Sequence, residues 1–301
     1  MSQWNGKSKG TLLGYKIFVY CIKKLGIRAA YSVLVFVAFY YFVAYPASFR
    51  AMFYYFRRRQ QFSFFKAIFA VYNSYFTFGQ TIIDKVAISA GLRDKFTFDF
   101  DGVAILKQLL NEQKGGILIS AHIGNFEIAE KFFAEIDLNA QIHIVTVDQE
   151  HSIIKEYLES VANKKHNVQF IYVKEDLSHI FEINDALSKN HLICFTGDRY
   201  FENSKTMTAE LLGKETRFPA GTFMIASRLK APVVFVYVMK EPRLHYHLYT
   251  RRAPEFKHRD AQSVLNAYTQ NLNSMLKKYP YQWFNYFDFW EEENHKKRNS
   301  V

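Results

Sequence analysis

The sequence predicts an α/β protein with a mostly parallel central sheet flanked by helices, preceded by an N-terminal hydrophobic membrane-associated helix. Short apolar runs alternate with helical stretches between residues 117 and 229, the pattern of a parallel sheet covered by helices on both faces. Residues 29–49 contain no charged side chain, and that length is near the roughly 20 residues a helix needs to cross a bilayer. Ligands of such sheets bind at the carboxyl ends of the strands.

The predicted elements follow from hydrophobic periodicity. Candidate strands are residues 117–120, 142–147, 168–173, 192–196, 233–239 and 244–249. Candidate helices are residues 62–90, 103–112, 128–134, 152–162, 177–188 and 221–229. We divide the chain into an N-terminal membrane-association segment, residues 1–60, and an α/β domain, residues 61–301.

Composition narrows the class of protein. Of 301 residues, 18% are aromatic and the formal net charge is +11, which suits an anionic membrane, an acidic substrate or nucleic acid as the partner. The basic residues are scattered and lie beside an apolar segment, so we expect no nucleic-acid binding. Two cysteines in unrelated contexts, Cys21 and Cys194, fit a reducing compartment.

The segment before residue 60 allows three readings. Residues 11–25 form a basic amphipathic stretch, and residues 29–49 are a membrane span, a helix lying in the membrane interface or a buried core helix. Tyrosines are numerous in this stretch and basic residues flank both sides of it. The positive-inside rule therefore assigns no orientation.

His122 and Glu127 form the motif on which the functional prediction depends. His122 follows a buried strand, and Gly124 and Asn125 are turn residues before a helical stretch. Asn125 is a candidate helix N-cap, which places Glu127 in the first turn. Across such a corner the two side chains can meet, and a carboxylate that orients a histidine makes a general base. The alternative is a surface histidine and a helix-start glutamate that never touch.

Two further segments supply candidate site residues. Asp198 and Arg199 directly follow the predicted strand 192–196, where they line a site or close a loop. Lys214 and Arg217 precede Gly221 at a predicted helix start, where free amides bind anions. A basic surface loop with an ordinary helix cap is the alternative for residues 214–222.

These blocks resemble one known family. The segment His122-Ile-Gly-Asn-Phe-Glu127 resembles the His-x4-Asp/Glu motif of the lysophospholipid/glycerolipid acyltransferases, and most of all their lipid A lauroyl/myristoyl branch. The Asp198-Arg199 pair, residues 214–222 and residues 279–284 resemble looser blocks of that branch. Where the branch has an Arg-Pro-like pair after the second strand, this chain has Thr146-Val-Asp148-Gln-Glu150-His151, which weakens the case for a phosphorylated disaccharide acceptor. Those side chains lack convincing partners as metal ligands.

The resemblance implies a membrane-bound acyltransferase on the cytoplasmic face of the bacterial inner membrane. Its donor would be an acyl thioester on acyl carrier protein or coenzyme A, and its acceptor a hydroxyl of a membrane lipid. His122 would take the acceptor's proton, Glu127 would orient His122, and amides near Gly124 or Gly221 would hold the oxyanion. The reaction would need no metal and no cofactor. The substrate-binding residues would be Gly124, Asn125, Asp198, Arg199, Lys214, Arg217 and Gly221.

The sequence leaves alternatives open. The acceptor could instead be an aminolipid or a polyene pigment head group. A membrane protein that binds lipid on the same fold without turnover is the rival from another class. Both His122 and Glu127 are present, which argues against that rival.

Overall fold

The computed structural model describes residues 20, 22, 24–129, 140–146, 168–174, 176–201 and 204–290. In the described residues, the helices α1 (Ile27–Ala44), α2 (Pro46–Tyr54) and α3 (Phe64–Ala87) precede the sheet. The break between α1 and α2 falls at Pro46, the first residue of α2, where a missing backbone N–H costs nothing. The helix predicted at residues 152–162, and most of those predicted at residues 11–25 and 128–134, fall outside the described residues.

Helix α1 lies against α3. Its buried face includes Ala30, Leu34 and Ala38, and the methyl groups of Leu34 occupy the space beside Gly79 of α3. In the described part of the chain, α1 is the one helix long and apolar enough to cross a membrane. Its opposite face is exposed, as Phe36 at 77% and Val43 at 62% exposure show.

The central sheet has seven strands in the order β1-β9-β8-β2-β5-β3-β4. The strands are β1 (Thr97–Asp101), β2 (Gly116–Ser120), β3 (Ile142–Thr146), β4 (Val168–Tyr172), β5 (Leu192–Thr196), β8 (Val233–Glu241) and β9 (His245–Arg252). Five strands are parallel to one another, while β9 is antiparallel to β8 and parallel to β1. The predicted fold class is confirmed.

The sequence analysis did not predict strand β1 or a β-hairpin between β5 and β8. Strand β1 is half exposed and carries two aspartates, so it lacks an apolar run. Strands β6 (Thr206–Leu211) and β7 (Lys214–Pro219) form a separate antiparallel hairpin, closed by Leu212 and Gly213 at φ 51° and 76°. The alternative of a basic loop at residues 214–219 is therefore wrong, because these residues are a strand.

The described part of the domain also contains the helices α4 (Val103–Asn111), α5 (His179–Ser188), α6 (Ala220–Arg228) and α7 (Ala261–Lys278). Strand β2 lies between β5 and β8 in the middle of the sheet, and all five of its residues are buried. Such a strand, covered on both faces, can only be apolar and continuous. His122 therefore leaves the sheet at its centre.

Candidate functional site

The turn that carries His122, residues 121–125, is called the motif turn here. Gly124 has φ 62°, and a Cβ there would lie 2.1 Å from the carbonyl oxygen of Val238 in β8. A side chain would therefore clash with backbone that cannot move away. The neighbouring amide of Asn125 donates to the same Val238 oxygen at 2.7 Å. Glycine is required because the turn is pressed against β8.

Residues 282–285, here called the C-terminal clamp, hold the motif turn from the other side. The amide of Gly124 donates to the carbonyl of Gln282 at 2.8 Å, and the amide of Phe284 donates to the carbonyl of His122 at 2.9 Å. Ile123 and Trp283 form an antiparallel bridge between them. The Gly124 amide thus already has an acceptor and is not free for an oxyanion. That other amides near Gly124, or those near Gly221, hold the oxyanion stays a prediction.

Asp198 is the carboxylate that contacts His122. In the register of β2 and β5, Ser120 pairs with Thr196, so the residues two positions further along each chain meet at the sheet edge. The ring Nδ1 of His122 lies 2.7 Å from Asp198 Oδ1. The backbone amide of His122 donates to the Asp198 oxygens at 3.1 and 3.0 Å.

Asp198 is fully buried and accepts two more hydrogen bonds. Trp283 Nε1 and Asn285 Nδ2 each donate to Oδ2 at 3.0 Å. Burial alone would raise the pKa of Asp198, but His122, Arg199 and the Trp283 donor outweigh it and hold that pKa well below its usual range. The group is therefore an ionised acceptor surrounded by donors.

This arrangement decides the tautomer of His122. An ionised carboxylate can only accept, so Nδ1 carries the proton and Nε2 keeps its lone pair. The His122 side chain is 26% exposed, and no described residue bonds Nε2. Burial first, and then the charge of Arg199, lower the pKa of His122 against the opposing effect of Asp198. The imidazole is thus neutral at pH 7 and able to accept a proton at Nε2.

Arg199 braces the clamp. Its Nε donates to Asn285 Oδ1 at 2.8 Å and its Nη2 to the carbonyl of Phe284 at 2.9 Å. Burial lowers the pKa of Arg199 to about 10, with Asp198 opposing, so the guanidinium remains charged at neutral pH. Arg199 therefore acts on His122 through charge and by fixing the clamp. Its predicted contact with substrate stays a prediction.

Asn125 does not cap a helix with its side chain, which corrects the prediction. Its Nδ2 donates instead to the carbonyl of Thr81 at 2.9 Å and to the hydroxyl of Tyr246 at 3.3 Å. A short 3-10 turn, Phe126–Ile128, begins after it. The amide faces the protein interior, so it anchors the motif turn to α3 and β9.

Behind Asn125 lies a buried charge cluster that sequence reasoning missed. Asp84 of α3 accepts from Lys240 Nζ and from the Tyr246 hydroxyl, each at 2.6 Å, and from the hydroxyl of Tyr31 in α1. Asp84 is 0% and Lys240 8% exposed. The cluster ties α1 to the strand that supports the motif turn. These residues lie in different predicted elements, and no local pattern pairs them.

Four predicted residues remain. Glu127 lies in the Phe126–Ile128 turn, but its side chain is outside the described part of the structure, so its pairing with His122 stays a prediction. Gly221 is the second residue of α6. This helix start lies beside the end of β5, where Thr222 Oγ1 is 3.4 Å from the Thr196 carbonyl oxygen. Lys214 stands at the opposite end of β7 from α6, about 16 Å away at the usual rise of a strand.

Arg217 is exposed within β7 and pairs in register with Thr208. Residues 148, 150 and 151, at the departure from the family pattern, fall outside the described residues. Among the residues that the structure does describe, no three His, Cys, Asp or Glu side chains gather as a metal site would require.

One comparison with known proteins bears on this site. Residues 71–290 match the model of a family described as bacterial lipid A biosynthesis acyltransferase. The match spans more than half of the chain and includes the motif turn, Asp198, Arg199 and the C-terminal clamp. No protein of curated function matches the sequence.

Proposed function

Because the chain belongs to the bacterial lipid A biosynthesis acyltransferase family, we propose that it moves a fatty acyl chain from a thioester to a hydroxyl of a membrane lipid. The donor is acyl carrier protein or coenzyme A carrying the chain, and the acceptor is of the lipid A type. The observation that carries the proposal is the neutral His122 ring, which is bonded at Nδ1 to buried Asp198 and has no partner at Nε2 among the described side chains.

The chemistry follows from that ring. The acceptor hydroxyl gives its proton to Nε2 of His122 as its oxygen attacks the thioester carbonyl carbon. Asp198 stabilises the imidazolium that forms. When the tetrahedral intermediate collapses, the carbon–sulfur bond breaks and the departing thiolate takes the proton back from Nε2. The products are an ester and a free thiol, and the histidine returns to its neutral state.

An exposed apolar surface supports the membrane part of the proposal. Phe36, Phe39 and Tyr40 project from α1, and Phe65 and Phe69 project from α3, each at least 58% exposed. The other face of α1 stays on α3 through contacts that a spanning helix would have to give up. We therefore favour α1 lying in the membrane interface, on the cytoplasmic face, over α1 as a span.

The site is tested with full-length protein, a labelled acyl thioester and membrane lipid extract. His122→Ala should lower acyl transfer by about 10²–10⁴-fold and still bind donor. His258→Ala, at an exposed turn, is the matched control and should transfer at the wild-type rate. If His122→Ala keeps full transfer, the proposal is wrong. Running both carriers in parallel identifies the donor.

The acceptor needs its own experiment. Mass spectrometry of lipids from cells with and without the gene should show loss of one acyl chain from a lipid A-type molecule. The sequence after β3 lacks the family's basic pair, which favours an acceptor without phosphate as the second candidate. Loss of acylation from an aminolipid or a pigment would establish that candidate instead.

Membrane attachment is tested by fractionation. Full-length protein should sediment with membranes and resist a low-salt wash, while protein released by high salt alone would indicate an interfacial helix held by charge. Recovery in the soluble fraction without salt or detergent would contradict membrane attachment.

A further inference from the structure

Ser120 ends β2, two residues before His122. The residue is 3% exposed, and its hydroxyl oxygen has no hydrogen-bond partner among the described residues. Its backbone carbonyl, by contrast, accepts from the amide of Gly197 at 2.9 Å and from the Tyr268 hydroxyl at 3.1 Å. A buried hydroxyl without a hydrogen-bond partner lowers the stability of the protein. A bound ligand that accepts a hydrogen bond from Ser120 would remove that cost.

Ser120 is one of the residues that line an apolar cavity. The cavity runs across one face of the sheet beneath α4 and is lined by alternate residues of neighbouring strands and by the helix, including Leu106, Leu118, Ile144, Cys194, Val236 and Leu248. Phe126, next to the motif turn, lines it too. Ser120 is the lining residue nearest to His122 in the chain. A cavity of this chemistry fits a hydrocarbon chain whose polar end lies towards His122.

Three backbone donors of the motif turn are already engaged. The amide of His122 donates to Asp198, that of Gly124 to Gln282 and that of Asn125 to Val238. An acyl carbonyl placed at this corner finds none of these three donors available. The hydroxyl of Ser120 is a donor beside the same corner without a described acceptor.

We propose that Ser120 is a catalytic residue whose hydroxyl donates a hydrogen bond to the thioester carbonyl oxygen while the acyl chain lies in the apolar cavity. As the acceptor oxygen bonds to the carbonyl carbon, negative charge grows on that oxygen and the bond from Ser120 strengthens. The proton stays on Ser120, and the charge returns to the carbonyl when the carbon–sulfur bond breaks. This inference rests on the proposed acyl transfer.

The test separates a chemical role from a packing role. Ser120→Ala removes the hydroxyl and should lower kcat by about 10²–10³-fold, while KM for the donor stays within about twofold. Its melting temperature should equal or exceed wild type, because an unpartnered buried hydroxyl is removed. Ser120→Thr keeps a hydroxyl and should restore most of kcat.

Ser74→Ala is the matched control. Ser74 is fully buried in α3, and its hydroxyl also lacks a partner among the described residues, but it lies outside the cavity. It should leave kcat unchanged. The Ser120 role is overturned if Ser120→Ala keeps wild-type kcat, changes KM alone, or loses activity only in proportion to lost folded protein. His122→Ala is measured alongside: full transfer by that variant refutes the reaction itself, whereas an inactive His122→Ala beside a fully active Ser120→Ala refutes only Ser120.

Discussion

Asp198 receives both the ring Nδ1 and the backbone amide of His122, at 2.7 Å and at 3.0 Å or slightly more. One buried acid therefore sets the orientation of the imidazole and the course of the backbone that carries it. The two strands that bring these residues together are neighbours in the middle of the sheet. Geometry and tautomer at the site thus depend on the same group.

Asp198→Asn should reduce both activity and stability. The NH2 group of the new asparagine would face at least one of the donors around Asp198 and cannot accept its hydrogen bond. We therefore expect the free energy of unfolding to fall by about 1–3 kcal/mol. Because the imidazolium also loses its counter-charge, kcat should fall by about 10²-fold or more. Glu127→Gln should cost less kcat than His122→Ala and less than Asp198→Asn. Steady-state kinetics and urea unfolding measure both effects; a greater loss in Glu127→Gln would make Glu127 the orienting acid.

Arg199→Gln should shift the pH profile of kcat/KM. Burial and the Arg199 charge lower the pKa of His122, and the base works only when neutral, so activity falls as pH drops through that pKa. Removing the charge raises the pKa, and the acid limb should move to higher pH. Arg199→Lys keeps the charge and serves as the control. Coincident limbs for wild type and Arg199→Gln would show that the charge does not reach the ring.

Gly124→Ala should destabilise the protein, and Gly221→Ala should not. At Gly124 a new Cβ meets the Val238 carbonyl at 2.1 Å, and the left-handed backbone adds a cost of about 1–3 kcal/mol. At Gly221, in the first turn of α6, nothing lies within 4 Å of that position, and alanine should stabilise by about 0.4–1 kcal/mol. Thermal unfolding of both variants checks this; equal melting temperatures would contradict the close approach of the motif turn to β8.

Asp84→Asn should be among the most destabilising single changes, because it strips the buried Lys240 ammonium of its counter-ion. Breaking such a pair from one side costs about 3–5 kcal/mol. Replacing both partners, Asp84→Leu with Lys240→Met, should recover much of that loss. The free energies of unfolding of the single and double variants test the coupling. Additive losses would show that the two groups act independently.

The strands that could be predicted are those with a local hydrophobic pattern in the sequence. The buried strands are short apolar runs in the sequence, so the predicted bounds of β2 and β5 agree with the structure to within one residue. The same pattern places His122 after the end of a strand. Strand β1 was missed because its aspartates alternate with phenylalanines on a half-exposed edge of the sheet. Hairpin β6–β7 was missed because its strands carry charged residues and its turn contains a leucine at positive φ.

Contacts between distant segments could not be read from local pattern. His122 and Asp198 are 76 positions apart, and only the strand order makes them neighbours. Asp198 was predicted as a site residue, but as a substrate contact and not as the partner of His122. The resemblance singled out residues 279–284, whereas the hydrogen bonds of the clamp to the motif turn depend on how the chain returns to the sheet after α7.

The C-terminal clamp also has a consequence for when the enzyme becomes active during its synthesis. Gln282, Trp283 and Asn285 supply the bonds that hold the His122 turn and Asp198. A nascent chain in which α1 has already reached the membrane still lacks these residues until translation has passed Asn285 and they have left the ribosome. Under the proposed membrane attachment, α1 can therefore reach the lipid surface before the site around His122 and Asp198 is complete.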